Sequence, residues 1–164
     1  MIIGIGTDII EIDRVVKAAK NEHFLDKYYT VEERKIFEKK MSSVAGNFAV
    51  KESVAKMLGT GFVGISPKDI EVLRDDKGKP YVNMYNNAKK MAEEKGIDVI
   101  HVSISDNKEC AIAYVIGESS VKKLCWCDDF LHGTLCRSVT KCVLWFYHNF
   151  DCRAKFDVLL PIPS

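Results

Sequence analysis

The sequence predicts an α+β fold with a largely antiparallel sheet and packed helices. Three observations predict it. Strand and helix patterns follow the order strand, helices, hairpin, helix, hairpin, rather than strict alternation of strand and helix. The hydrophobic period changes from helical spacing in Glu11–Lys20 to alternation in Val99–Ser105. The run from Cys110 to Ile116 is apolar on both faces, as a central strand requires.

Each element has its own local reason. Ile2–Thr7 reads as a short strand whose glycines permit close backbone approach. In Glu11–Lys20, Ile12, Val15, Val16 and Ala19 follow helical spacing, and Arg14, Lys17 and Lys20 share another face. Thr30-Val-Glu-Glu33 is a capping box opening a charged helix to about Lys40. Ser42 or Ser43 caps the next helix, and Gly59 or Gly61 ends it. Ile70–Arg74 and Tyr81–Met84 read as strands joined by the polar turn Asp75–Lys79. Asn86–Lys95 is a helix stopped by Gly96. Along Val99–Ser105, Ile100, Val102 and Ile104 point one way, and His101, Ser103 and Ser105 the other.

Bulk properties narrow the function. The 164 residues fit one domain, or one of about 120 residues with an appendage. Hydrophobic residues make up 47%, enough for a core, and charged residues 29%. Residues 1–118 carry 18 basic against 19 acidic side chains, a net charge of −1. Such a balance gives no reason to expect nucleic-acid binding. Met1–Gly6 lacks the basic start and the length of a signal peptide, and no run has the roughly 18 apolar residues of a membrane helix. A cytoplasmic protein without a membrane partner is expected. Cys110 stands alone in the first 118 residues and reads as a small buried apolar residue. Cys125, Cys127, Cys136, Cys142 and Cys152 fall in the last 46. Residues 119–164 therefore read as a separate Cys- and aromatic-rich tail, poorly ordered and without a catalytic part.

Two carboxylates stand out by their surroundings. Asp8 ends the segment Met1-Ile-Ile-Gly-Ile-Gly-Thr-Asp8, and it suits either a cap for the following helix or a metal ligand. Glu52 lies in Phe48-Ala-Val-Lys-Glu-Ser-Val-Ala-Lys-Met-Leu-Gly-Thr-Gly61, with Phe48, Ala55 and Leu58 near the same face. A partly buried carboxylate there needs a partner, with Lys56 one turn on as an ordinary one. Two carboxylates that share a hard cation, beside lysines and free backbone amides, suit a diphosphate carried with magnesium. Gly59-Thr-Gly-Phe-Val-Gly64 matches a dinucleotide fingerprint by letters only, because it follows a helix instead of opening one.

Gly4-Ile-Gly-Thr-Asp-Ile-Ile-Glu-Ile12 and the Phe48–Gly61 stretch closely resemble the two signature motifs of the holo-(acyl-carrier-protein) synthases, which are phosphopantetheinyl transferases. His101-Val-Ser-Ile-Ser-Asp106 is similar to their third motif, and Gly78-Lys-Pro80 to a shorter element. The resemblance runs from Met1 to about Gly117. It implies the 4′-phosphopantetheinyl transferase fold, and transfer of the 4′-phosphopantetheine arm of coenzyme A to a serine of apo-acyl carrier protein in fatty acid biosynthesis, releasing 3′,5′-ADP. It implies Asp8 and Glu52 as magnesium ligands and catalytic residues, with Lys56 beside the diphosphate. Lys51, Lys56, Gly59, Gly61, Pro80, His101 and Ser103 are the expected coenzyme A contacts, and Arg14 and Lys17 the expected docking residues for the acidic carrier. A homotrimer with sites between subunits is also implied. The general base is Asp8, Glu52 or a metal-bound water. A coenzyme A-binding module without catalysis is the alternative. One departure is visible: the family has an arginine before the second motif, where this chain has Asn47.

Overall fold

The computed structural model describes residues 1–120. Strand β1 (Ile2–Glu11) leads into three short helices, α1 (Ile12–Ala18), α2 (Glu22–Tyr28) and α3 (Val31–Lys39), and then the long α4 (Ser43–Met57). A 3-10 turn (Pro67–Asp69) opens the hairpin β2 (Ile70–Arg74) and β3 (Pro80–Met84). Helix α5 (Asn86–Glu94) and the strands β4 (Val99–Asp106) and β5 (Cys110–Glu118) follow. One sheet is antiparallel in the order β1-β5-β4; β2 and β3 form a second, two-stranded antiparallel sheet. The α+β expectation holds, and the doubly apolar β5 is the central strand.

Helix α4 is the axis of the described residues. Val44, Ala45, Ala49, Val50, Val54 and Ala55 are fully buried between the sheet and the other helices. Small side chains let the sheet come close. A Cβ placed on Gly6 would lie 1.9 Å from the Ser53 carbonyl oxygen, and one on Gly4 would lie 2.5 Å from that of Met57. The backbone of β1 thus rests directly on the backbone of α4.

Local chemistry fixes the ends. Thr30 and Glu33 form the reciprocal capping box. The C-terminus of α4 closes through Gly59 and Gly61, both at positive φ, whose N–H groups donate to Lys56 and Ala55. The Asp75 carboxylate accepts from the N–H groups of Lys77 and Lys79 and shapes the hairpin turn.

Four expectations need correction. β1 continues past Thr7 to Glu11, so Asp8 lies inside a strand, opposite Ala113, and does not cap a helix. Aspartate is depleted in strands, and that preference hid the true end. Helix α2 has no clear apolar period and was not foreseen; Asn21 caps it by accepting from the His23 N–H. Ser42 precedes α4 as expected, but its side chain makes no capping bond. Cys110 is half-buried rather than buried, at the start of β5. The expectations for residues 121–164 lie outside the described residues.

Candidate active site

The site forms where β1 crosses α4. Phe48, Glu52 and Lys56, spaced four apart, share the side of α4 that is not fully buried. Because Gly4 and Gly6 bring β1 onto the helix, Asp8 arrives beside this stripe. Lys56 Nζ donates to Asp8 Oδ1 at 2.8 Å and to the Thr7 carbonyl at 3.0 Å. Asp8 Oδ2 is buried and has no hydrogen-bond partner. A buried carboxylate oxygen without a donor is costly, and it marks a position that a cation would satisfy.

Glu52 reports the same geometry. Partial burial pushes its carboxyl above the usual range, and the Asp8 charge pushes it further, with Lys56 opposing. A divalent cation between them would relieve the repulsion. No cluster of three or more His, Cys, Asp or Glu with metal-binding geometry occurs among the described residues. Two carboxylates fit magnesium all the same, because that ion keeps several waters and takes phosphate oxygens from a substrate.

The other expected residues fall in different places. Lys51 is only 1% exposed and points away from Asp8. Its amine donates to Glu33 at 2.9 Å, to the Pro67 carbonyl at 3.0 Å and to the Ile70 carbonyl. All three donors are used, so the expected contact between Lys51 and coenzyme A is corrected: the side chain is structural. Gly59 and Gly61 lie just beyond Lys56, in the turn that ends α4. Pro80 starts β3, opposite Arg74. Arg14 and Lys17 are exposed on α1.

His101 and Ser103 do not join Asp8 within one chain. Asp8 pairs with Ala113, on the sheet face against α4, whereas His101 and Ser103 pair with Ile116 and Tyr114, on the opposite face. His101 Nε2 lies 2.9 Å from the Glu118 carboxylate. That outer face is apolar: Ile5, Ile9, Ile112 and Tyr114 are each at least 42% exposed. Asn47 is fully buried, donating to Glu33 and to the Val72 carbonyl. It accepts from Arg74 Nη2 at 3.0 Å, so a guanidinium stands next to the position where an arginine was expected.

A buried polar cluster around Glu33 escaped the sequence reading. Its one visible trace, the capping box, explains only one of the carboxylate's four hydrogen bonds.

A family model described as the 4′-phosphopantetheinyl transferase superfamily matches residues 4–115. The chain belongs to the 4′-phosphopantetheinyl transferase superfamily. A holo-[acyl-carrier-protein] synthase of Lachnoclostridium phytofermentans is 58% identical over 118 residues, covering 72% of this chain and 97% of that one. The acyl carrier protein synthase of Plasmodium yoelii with ADP bound superposes with a TM-score of 0.67 at 38% identity, over 74% of this chain and 98% of its own. The Helicobacter pylori holo-[acyl-carrier-protein] synthase in complex with coenzyme A gives 0.63 at 32% identity, over 70% and 99%. As a phosphopantetheinyl transferase, the chain carries its catalytic candidates Asp8, Glu52 and Lys56 inside the segment that the family model matches.

Proposed function

We propose that the chain is a holo-(acyl-carrier-protein) synthase that uses magnesium held by Asp8 and Glu52. It transfers 4′-phosphopantetheine from coenzyme A to a serine of apo-acyl carrier protein and releases 3′,5′-ADP. The observation that carries the metal assignment is the buried, partnerless Oδ2 of Asp8 beside a carboxylate already strained by its charge. Bound there, magnesium would offset charge on the diphosphate as the bond to phosphorus breaks. Lys56 holds Asp8 Oδ1 and presents positive charge at the open edge of the site. Arg74, half-buried against Asn47, supplies a cation where the usual arginine is missing. Arg14 and Lys17 meet the acidic carrier on α1.

The apolar outer face of the sheet supports a homotrimer, in which His101 and Ser103 of one subunit complete the coenzyme A site of another. A cytoplasmic location and a place in fatty acid biosynthesis agree with this chemistry. Among the described residues no helix is long and apolar enough to cross a membrane.

The test is incubation with apo-acyl carrier protein, coenzyme A and magnesium, read by the mass of the carrier. A gain equal to phosphopantetheine supports transfer. Tight coenzyme A binding with an unchanged carrier would instead support the non-catalytic module.

A further inference from the structure

We infer that the buried pair Glu33–Lys51 is a positioning device for the catalytic stripe of α4, turning Glu52 and Lys56 toward Asp8. The inference rests on the reading of Asp8 and Glu52 as the metal site. Glu33 and Lys51 are 0% and 1% exposed, and their charged atoms are 2.9 Å apart. A buried ion pair is poor evidence of stability, because well-packed apolar residues often serve as well or better. Its use here needs another reason.

The packing supplies one. On the β1 side, α4 meets glycine backbone, with no side-chain knobs at Gly4 and Gly6 to resist rotation or sliding. Much of the remaining α4 surface is Ala and Val, and apolar burial is non-directional. Lys51 is directional. Its amine is fixed to α3 through Glu33 and to both ends of the 3-10 turn through Pro67 and Ile70. Glu33 is held in turn by the N–H groups of Thr30 and Val72 and by Asn47. Apart from Asn47, which lies on α4 itself, each of these partners belongs to an element other than α4. Lys51 directly precedes Glu52, so any rotation of α4 at Lys51 moves the carboxylate facing Asp8.

The experiment compares the wild type with Glu33→Gln/Lys51→Met, which removes both charges while conserving shape. Melting temperature, Mn2+ affinity of the substrate-free protein, kcat and the KM for coenzyme A are measured. A folded double variant should bind Mn2+ about tenfold more weakly, as displaced supporting residues do. Its kcat should fall about 10- to 100-fold, as small misplacements do, with the KM for coenzyme A nearly unchanged. A merely structural pair would lower the melting temperature and leave Mn2+ affinity intact, and a folded variant with wild-type affinity and kcat overturns the inference. Should the double variant not fold, Glu33→Gln alone decides: weaker Mn2+ binding supports the inference and unchanged binding overturns it. Glu52→Ala serves as the control. If it abolishes Mn2+ binding while the double variant binds as tightly as the wild type, positioning alone fails. If the wild type binds no Mn2+ at Asp8 and Glu52, the metal reading fails, and the positioning inference falls with it.

Discussion

Glu52 sits beside Asp8 at a cost to stability. Its folded pKa lies above its unfolded value, because burial and Asp8 disfavour the charged form. The folded state therefore binds the proton more tightly than the unfolded state. Its favourable contribution is present below the unfolded pKa and is lost as pH rises through the folded pKa. At neutral pH, Glu52→Gln should stabilise the fold slightly and raise the melting temperature, by less than about 1 kcal/mol of stability given solvent screening of a half-open group. The same variant should lose nearly all transfer activity. Thermal melts at pH 4.5 and 7.5 check this, since the gain should shrink at the lower pH. Arg74 supports a second expectation at this scale. Arg74→Ala should raise the KM for coenzyme A about tenfold or more, by roughly 1.5–3 kcal/mol for a lost charged hydrogen bond, and leave the KM for the carrier unchanged. Equal changes in both constants would argue for a general loss of packing.

At the scale of elements, the site depends on how closely β1 lies on α4. Gly6→Ala would put a methyl group 1.9 Å from the Ser53 carbonyl, and backbone cannot yield there as a flexible side chain could. The strand must lift, costing about 1–3 kcal/mol as overpacking does. Asp8 moves with it, so activity should drop about 100-fold even in protein that remains folded. Circular dichroism and kcat on the same sample separate the two effects. Much of this frame was legible in the sequence. The Thr30–Glu33 capping box, the Asp75–Lys79 turn, the stop at Gly96 and the alternation of β4 all follow from local rules that the structure obeys. Helix α2 was not legible, because its seven residues carry no complete apolar face. The end of β1 was hidden because Asp8, inside the strand, breaks strand propensity. Lys51 misled for a related reason. A lysine beside Glu52 reads as a surface cation, and only tertiary contacts with Glu33, Pro67 and Ile70 reveal it as a buried bolt. His101 and Ser103 were expected at a coenzyme A site between subunits, and strand parity puts them on the sheet face away from Asp8.

For the whole molecule, that parity is the central fact. One face of the β1-β5-β4 sheet packs on α4, and the other presents Ile5, Ile9, Ile112 and Tyr114 to solvent. Contiguous exposed apolar surface on a folded chain marks an interaction site. If a second copy covers it, His101 and Ser103 come to lie between subunits, and a substitution on this face should act on both assembly and turnover. Ile9→Asp and Tyr114→Asp put a charge where burial would leave it unpaired. Both should shift the assembled protein toward monomer in sedimentation, and transfer activity should fall in proportion to the assembly lost. A monomer with full activity would show that each chain completes its own site.

Contacts among the described residues also tie down the end of β5. β5 runs through Glu118, whose carboxylate meets His101. Ser119 and Met1 exchange backbone bonds, and Ser120 donates its N–H to Asp98 at 2.8 Å. A chain cut after Gly117 would lose the Glu118 carboxylate and these terminal ties. One ending at Ser120 keeps them all. The family model stops at residue 115, and the similarity to the Lachnoclostridium phytofermentans protein spans 118 residues, so neither assigns a task to residues 121–164. The chain ending at Ser120 should form the same oligomer as the full chain and transfer phosphopantetheine at the same rate, within about twofold on a barrier scale of 1.4 kcal/mol per factor of ten. The chain ending at Gly117 should melt lower, and its KM for coenzyme A should rise as His101 loses its carboxylate partner. Sedimentation, thermal melts and carrier mass on the three lengths check this. Loss of activity at Ser120 would assign the tail a part in the enzyme.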